Sequence, residues 1–211
     1  MKTTSKLTRP EAEQLFSQIE EHLLEDDAPS RVLLDMLRSP GLDAYPFSML
    51  KKLEATPQSP VHHPEGNVLN HTLRVVDEAA KRKESSGDPR AFMWAALLHD
   101  IGKPPTTRAH KGRVTAYDHD KVGAEMTREF LSALTEDRRF IETVANLVRY
   151  HMQILYVVNG LPYKDVAGMK QNSDVREIAL LGLCDRLGRG GASQKAEESQ
   201  VRLFEDKCRD E

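Results

Sequence analysis

Cysteine is scarce in this chain. Only Cys184 and Cys208 occur among 211 residues, with no CxxC or other zinc-binding spacing, so a thiolate zinc site is excluded and a reduced, cytoplasmic setting is expected. Long apolar runs are missing too. None approaches the ~20 residues of a membrane span, and the N-terminal MKTTSKLTRPEAEQLF has no apolar core of a secretory signal. Neither a membrane partner nor export is expected. A basic excess is also lacking, since 30 Lys and Arg stand against 33 Asp and Glu for a net charge of -3. The chain as a whole therefore carries no electrostatic footprint for nucleic acid, which leaves only a local basic patch for that role. There is no internal repeat and no long low-complexity segment. Strand signals are nearly absent: only Leu155-Tyr156-Val157-Val158 has the composition, and the same residues can end a helix.

What is present suits a packed, helical protein. Hydrophobic residues make up 39% and charged residues 30%, enough for one large domain or one domain with an appendage. Over residues 9 to 25, Leu15, Ile19, His22 and Leu23 recur at helical spacing, with Pro10 and Glu11 suited to a first turn. Residues 30 to 38 read as a second helix with Ser30 as N-cap, and 46 to 54 as a third. The proline-rich TPQSPVHHPEG then separates an N-terminal helical appendage, residues 1–61, from a main body, residues 62–190. The body opens with Val68, Leu69, Thr72, Leu73, Val75, Val76, Ala79 and Ala80 on one amphipathic helix. Residues 90 to 101 are apolar around most of the circumference, as expected of a central buried helix. Gly102 reads as its C-cap, with Pro104-Pro105 barring continuation. Residues 104 to 117 read as a long polar loop, a length that often serves as a lid. Helices are expected over 119 to 134, 139 to 157, 162 to 168 and 174 to 188, the last closed by Gly188, Gly190 and Gly191. A charged helix docked by Val201, Leu203 and Phe204 fills the C-terminal element, residues 191–211. Cys184, inside the run from Ala179, reads as a small core residue. The expected fold class is all-α.

Histidine and aspartate positions carry the chemistry. His99 follows Phe92, Ala95 and Ala96 at offsets of seven, four and three, so it shares their face. His151 follows Val144 and Val148, and His71 lies close to the stripe of Val68, Val75 and Val76. Asp185 follows Ile178 and Leu181 on the apolar face of a leucine-rich helix. A buried carboxylate is costly without hydrogen bonds, a counter-charge or a metal. Each residue alone has an ordinary reading as a hydrogen-bonded core side chain, and Asp118-His119-Asp120 shows how readily His and Asp fall together. The combination points to a shared metal. Imidazole with carboxylate suits Fe, Mn, Zn, Ni or Co better than Ca, with Mg also admissible. His22 reads as a surface or helix-packing residue, and His62 and His63 as structural.

Five ordered segments, NHTL, LLHDIGKP, YDHDKVGAE, VRYHM and LCDRLGR, resemble the HD superfamily of metal-dependent phosphohydrolases over residues 62 to 190. HHPEGNVLNHTLRVVD and GKPPTTR are most similar to the HD region of bacterial tRNA nucleotidyltransferases. The Gly-Ser motif and paired acidic residues of a nucleotidyl-transfer domain are not found, so CCA addition is not expected. The resemblance implies a helical bundle with His71, His99, Asp100 and Asp185 as ligands of a first metal. His119 and His151 occupy the segments that hold a second ion in two-metal branches. It implies one or two divalent ions that activate water for phosphoester hydrolysis, with Asp100 able to bridge a pair. Lys103 is then expected to stabilise transition-state charge. Arg74, His110, Lys111, Arg113, Arg186 and Arg189 are candidates for substrate phosphate. The implied substrates are phosphorylated small molecules, nucleotides, or tRNA and other RNA ends such as 2′,3′-cyclic phosphates. The alternative is a non-catalytic, metal-containing module that binds a nucleotide or RNA.

Overall fold

The computed structural model describes residues 7–211. The architecture is all-α, apart from one small hairpin. Helix α1 (Arg9–Glu25), α2 (Ser30–Arg38), a 3-10 turn and α3 (Ser48–Lys51) form the N-terminal part. Helix α4 (Val68–Ala80) and α5 (Pro89–Leu98) open the body, and a short α6 (Lys103–Thr106) leads into the hairpin. After it come α7 (His119–Ser132), α8 (Arg138–Tyr150), α9 (Gln153–Val158), α10 (Val166–Asn172), α11 (Val175–Gly188) and α12 (Gln194–Asp210). No helix among the described residues is long and apolar enough to cross a membrane.

Helix α5 is the axis. Every residue from Ala91 to Leu98 is buried, and α1, α4, α8 and α11 pack around it. Asp88 caps its start through Ala91 N–H at 3.0 Å, and Pro89 occupies the first turn, where no backbone donor is needed. The N-terminal part shares this core: the Phe16 ring stacks on Trp94 at 4.7 Å, and Trp94 Nε1–H donates to Glu20 Oε2 at 2.9 Å.

Several expectations are corrected. Residues 104 to 117 are not one loop: α6 is followed by strands β1 (Thr107–His110) and β2 (Arg113–Ala116), paired antiparallel with Thr107 opposite Ala116. Prolines 104 and 105 follow Lys103 in the first turn of the separate helix α6, and α5 itself ends at Leu98. Gly102 is not a left-handed C-cap, since its φ is -79°. It is required for close approach instead: a Cβ there would lie 2.2 Å from His119 O and 2.5 Å from Gly123 N. Ser30 does not cap α2. Its N–H and hydroxyl both donate to the Asp77 carboxylate, at 3.0 and 2.6 Å. The expected helix over 139 to 157 breaks at His151-Met152, which makes residues 155–158 the end of α9 and not a strand. Helix α10 covers Val166–Asn172 instead of 162 to 168.

Candidate metal centre

Three local devices bring the polar side chains together. The chain turns sharply after Leu98, with Ile101 N–H bonded to Leu98 O and Lys103 N–H to Asp100 O, both at 2.9 Å. His99, Asp100 and Lys103 thereby leave the end of α5 at one point. The backbone crossing at Gly102 sets the start of α7 beside that turn. Asp118 aids it by adopting the left-handed region (φ 58°), which aspartate tolerates better than most residues. Helix α11 closes on α4 at Gly188, where a Cβ would meet Val75 Cγ2 at 2.6 Å, and this approach sets Asp185 against His71.

The resulting cluster is buried. His71, His99, Asp100, His119, His151 and Asp185 are each at most 7% exposed. Three of the histidines are oriented alike. The Nδ1–H groups of His99, His119 and His151 donate to the carbonyls of Ala96, Ala116 and Val148, at 2.9, 2.7 and 2.6 Å. Each donation fixes the tautomer and leaves Nε2 as a lone pair aimed inward. His71 Nδ1 lies 2.8 Å from Glu65 Oε1, and its Nε2 lies 2.9 Å from Asp185 Oδ1.

Asp100 divides its two oxygens between two groups. Oδ2 faces His99 Nε2 at 3.2 Å, His71 Nε2 at 4.0 Å and Lys103 Nζ at 2.7 Å. Oδ1 faces His119 Nε2 at 3.5 Å and His151 Nε2 at 4.0 Å. The ligand atoms of His71, His99 and Asp100 lie within 4.8 Å of one another, as do those of Asp100, His119 and His151. His99 Nε2 and Asp100 Oδ1 have no hydrogen-bond partner although buried, and Asp100 Oδ2 has the Lys103 ammonium at 2.7 Å. The Nε2 lone pairs of His119 and His151 confront each other at 3.3 Å. Lys103 reaches only Asp100 Oδ2, so the acceptors that converge at Oδ1 repel one another unless a further cation lies among them, and the residues present fit a bound metal.

The electrostatics agree. Burial disfavours ionised Asp100, but the Lys103 ammonium, with the His99 ring beside it, outweighs that cost and holds the carboxyl well below its ordinary range. Asp185 is held low in the same way, chiefly by Arg189 and His71 against the cost of burial. Burial pushes His151 down to about 4, with His119 and His99 adding to it, so this imidazole is neutral and ready to bind a metal. For His71 the desolvation cost is overcome by Asp185 and Glu65, which raise its pKa. A metal at His71 therefore competes with a proton.

A cavity of about 180 Å³ opens onto the cluster. Lys103 and Arg189 face it, together with Gln58, His62, His63, Thr107, Thr115 and Met152. Lys103 Nζ donates to Gln58 Oε1 at 2.5 Å, and Arg189 Nη2 lies 3.2 Å from Asp185 Oδ2. The other phosphate candidates are not gathered here. His110, Lys111 and Arg113 are exposed at the hairpin tip. Arg74 is exposed beside Gly190, and Arg186 pairs with Glu197 on α12. Two participants escaped sequence reasoning. Glu65 is buried, contacts His71 and His63, and accepts from Gly190 N–H at 3.2 Å. Gln58 anchors Lys103. Both lie in the proline-rich linker, where no periodicity marks an inward residue. The one available signal for Glu65 was its place between the His62-His63 pair and His71.

A family model described as HD domain matches residues 68–187. Three relatives are each a "Multifunctional CCA protein". That of Methylococcus capsulatus is 30% identical over 169 residues, 78% of this chain and 34% of the relative. That of Azoarcus sp. is 30% identical over 187 residues, covering 85% and 43%. That of Actinobacillus pleuropneumoniae serotype 5b is 30% identical over 124 residues, covering 57% and 29%. The chain thus spans less than half the length of these curated relatives.

Proposed function

The chain belongs to the HD domain family, and on that premise we propose that it is a metal-dependent phosphohydrolase acting on nucleotides or RNA-end phosphate esters such as 2′,3′-cyclic phosphates. The observation that carries this reading is the division of Asp100 between two histidine groups. His71, His99, Asp100 and Asp185 would hold one divalent ion, and Asp100, His119 and His151 a second. Such ions supply Lewis acidity toward a phosphoryl oxygen and acidify water to near neutral pH. Fe, Mn, Zn, Ni and Co all suit a mixed imidazole and carboxylate shell.

The chain's own groups do the rest. Lys103 holds an ammonium 2.7 Å from Asp100 Oδ2 at the cavity face, with its side chain only 12% exposed. A fixed cation in a poorly hydrated site offsets charge that develops on the phosphoryl oxygens. Gln58 steadies that ammonium, and the Arg189 guanidinium adds a second cation on the Asp185 side. The backbone carbonyls of Ala96, Ala116 and Val148 keep three imidazoles in the metal-binding tautomer.

The test is hydrolysis of 2′,3′-cyclic AMP and a panel of nucleotides by protein loaded with each metal in turn. Turnover by the wild type that falls at least ~1,000-fold in both His99→Ala and Asp100→Ala supports the reading. Bound metal with no turnover on any phosphate ester contradicts it and favours the non-catalytic binding module.

A further inference from the structure

Beside the cavity at the metal centre lies a larger one of about 950 Å³. The two share His62, Thr115, Ala116, His119 and Met152 in their walls, so they adjoin along one edge. The larger cavity has a different chemistry. Tyr117, just after β2, is 74% exposed, and Tyr163, beyond α9, is 64% exposed. The rings of Tyr156 and Tyr163 meet edge to face at 5.7 Å, and Leu155, Leu161 and Pro162 fill the space around them. Two cations stand in the wall, and both are already paired: Lys121 with Asp118 and Arg149 with Asp120, each at 2.7 Å. An electrically balanced aromatic surface thus abuts a centre where Lys103 and Arg189 supply positive charge.

We infer that this second cavity receives the nucleobase of a substrate whose phosphate ester lies at the His99-Asp100 centre. The substrate class is then a nucleoside phosphate rather than a sugar phosphate or an extended polyanion. The inference rests on the phosphohydrolase reading. An uncharged planar ring stacks on tyrosine faces whatever the base. A polynucleotide needs free cations to track its backbone, and Lys121 and Arg149 are neutralised by their partners. The volume falls in the range of about 300–1,000 Å³ that small-molecule sites occupy. Burial, with the charges of Asp120 and Asp118, pushes the Tyr156 hydroxyl up to about 12, so at neutral pH it remains a donor for a base edge.

Calorimetric titration of the manganese-loaded chain with AMP, ribose 5-phosphate and inorganic phosphate tests this. AMP is expected to bind about tenfold or more tighter than ribose 5-phosphate, the gain typical of one stacked base. In Tyr163→Ala and Tyr117→Ala the AMP-to-ribose 5-phosphate affinity ratio should fall toward unity. Both side chains are largely exposed, so neither substitution removes core packing. Equal affinity of the wild type for AMP and ribose 5-phosphate overturns the inference, as does a ratio unmoved in both variants. Failure of the underlying reading looks different: inorganic phosphate then does not bind and no phosphate ester is turned over, whatever the AMP ratio.

Discussion

Glu65 shows how much one side chain beside the His71-His99-Asp100 group can control. Its carboxylate contacts His71 Nδ1 at 2.8 Å and orients that ring toward Asp185 and Asp100. Outer carboxylates of this kind typically contribute about 10–100-fold to metal affinity. Glu65→Gln is expected to weaken metal binding by about that factor and, because it removes the buried partner of His71, to lower the melting temperature of the metal-free protein as well. Glu65→Asp should recover part of the loss, and a metal titration reads both. Titration of the histidines provides a second residue-level prediction. Burial pushes His63 and His151 down to about 4 and lowers His119. Between the ordinary histidine value of about 6.5 and pH ~4 the unfolded chain takes up protons that the folded chain refuses, so stability falls on acidification through that window. His71 acts in the opposite sense. Its pKa is raised, so its contribution is present below about pH 6.5 and is lost as pH rises through the folded value. Below pH 6.5 the His71 contribution is already complete, so it does not oppose the three lowered histidines in that window. The melting temperature of the metal-free protein should therefore drop from pH 6.5 to pH 4, and His151→Gln should flatten that drop. A flat profile in the wild type would show that these rings are solvated.

At the scale of elements, crossings between backbones decide whether the candidate ligands meet. Gly102→Ala puts a methyl 2.2 Å from His119 O, which no rotamer change relieves because the obstruction is main chain. The substitution is expected to cost about 1–3 kcal/mol, seen as a lower denaturation midpoint. It should also weaken metal binding at His119 and His151 more than an equally destabilising substitution far from the site. The same elements show what was legible in the sequence. Helix α5 announced itself through an unbroken apolar run, and His99 and Asp185 through their offsets from core residues. The hairpin did not, because neither of its faces is buried, so β1 and β2 lack the alternation that marks a strand. Its turn is Lys111-Gly112, with both residues at positive φ (47° and 75°), and lysine is not among the residues that signal such turns. The break after Tyr150 was equally hidden, since no glycine or proline marks His151-Met152.

Across the whole molecule, one core supports the centre. Phe16, Ile19 and Leu23 of the N-terminal part belong to the same hydrophobic cluster as Trp94 and Leu98. A boundary near residue 61 follows the proline-rich linker rather than a gap in packing. That linker folds back to supply His62, His63, Glu65 and Gln58 to the site. Composition could mark it as irregular but could not say where it lies. The central claim is that Asp100 joins two groups of metal ligands, and the metal content of purified, reconstituted protein tests it most directly. Elemental analysis is predicted to give about two ions per wild-type chain, about one in the His119→Ala/His151→Ala double variant and less than one in Asp100→Ala. Metal content that Asp100→Ala leaves at the wild-type level would contradict the account.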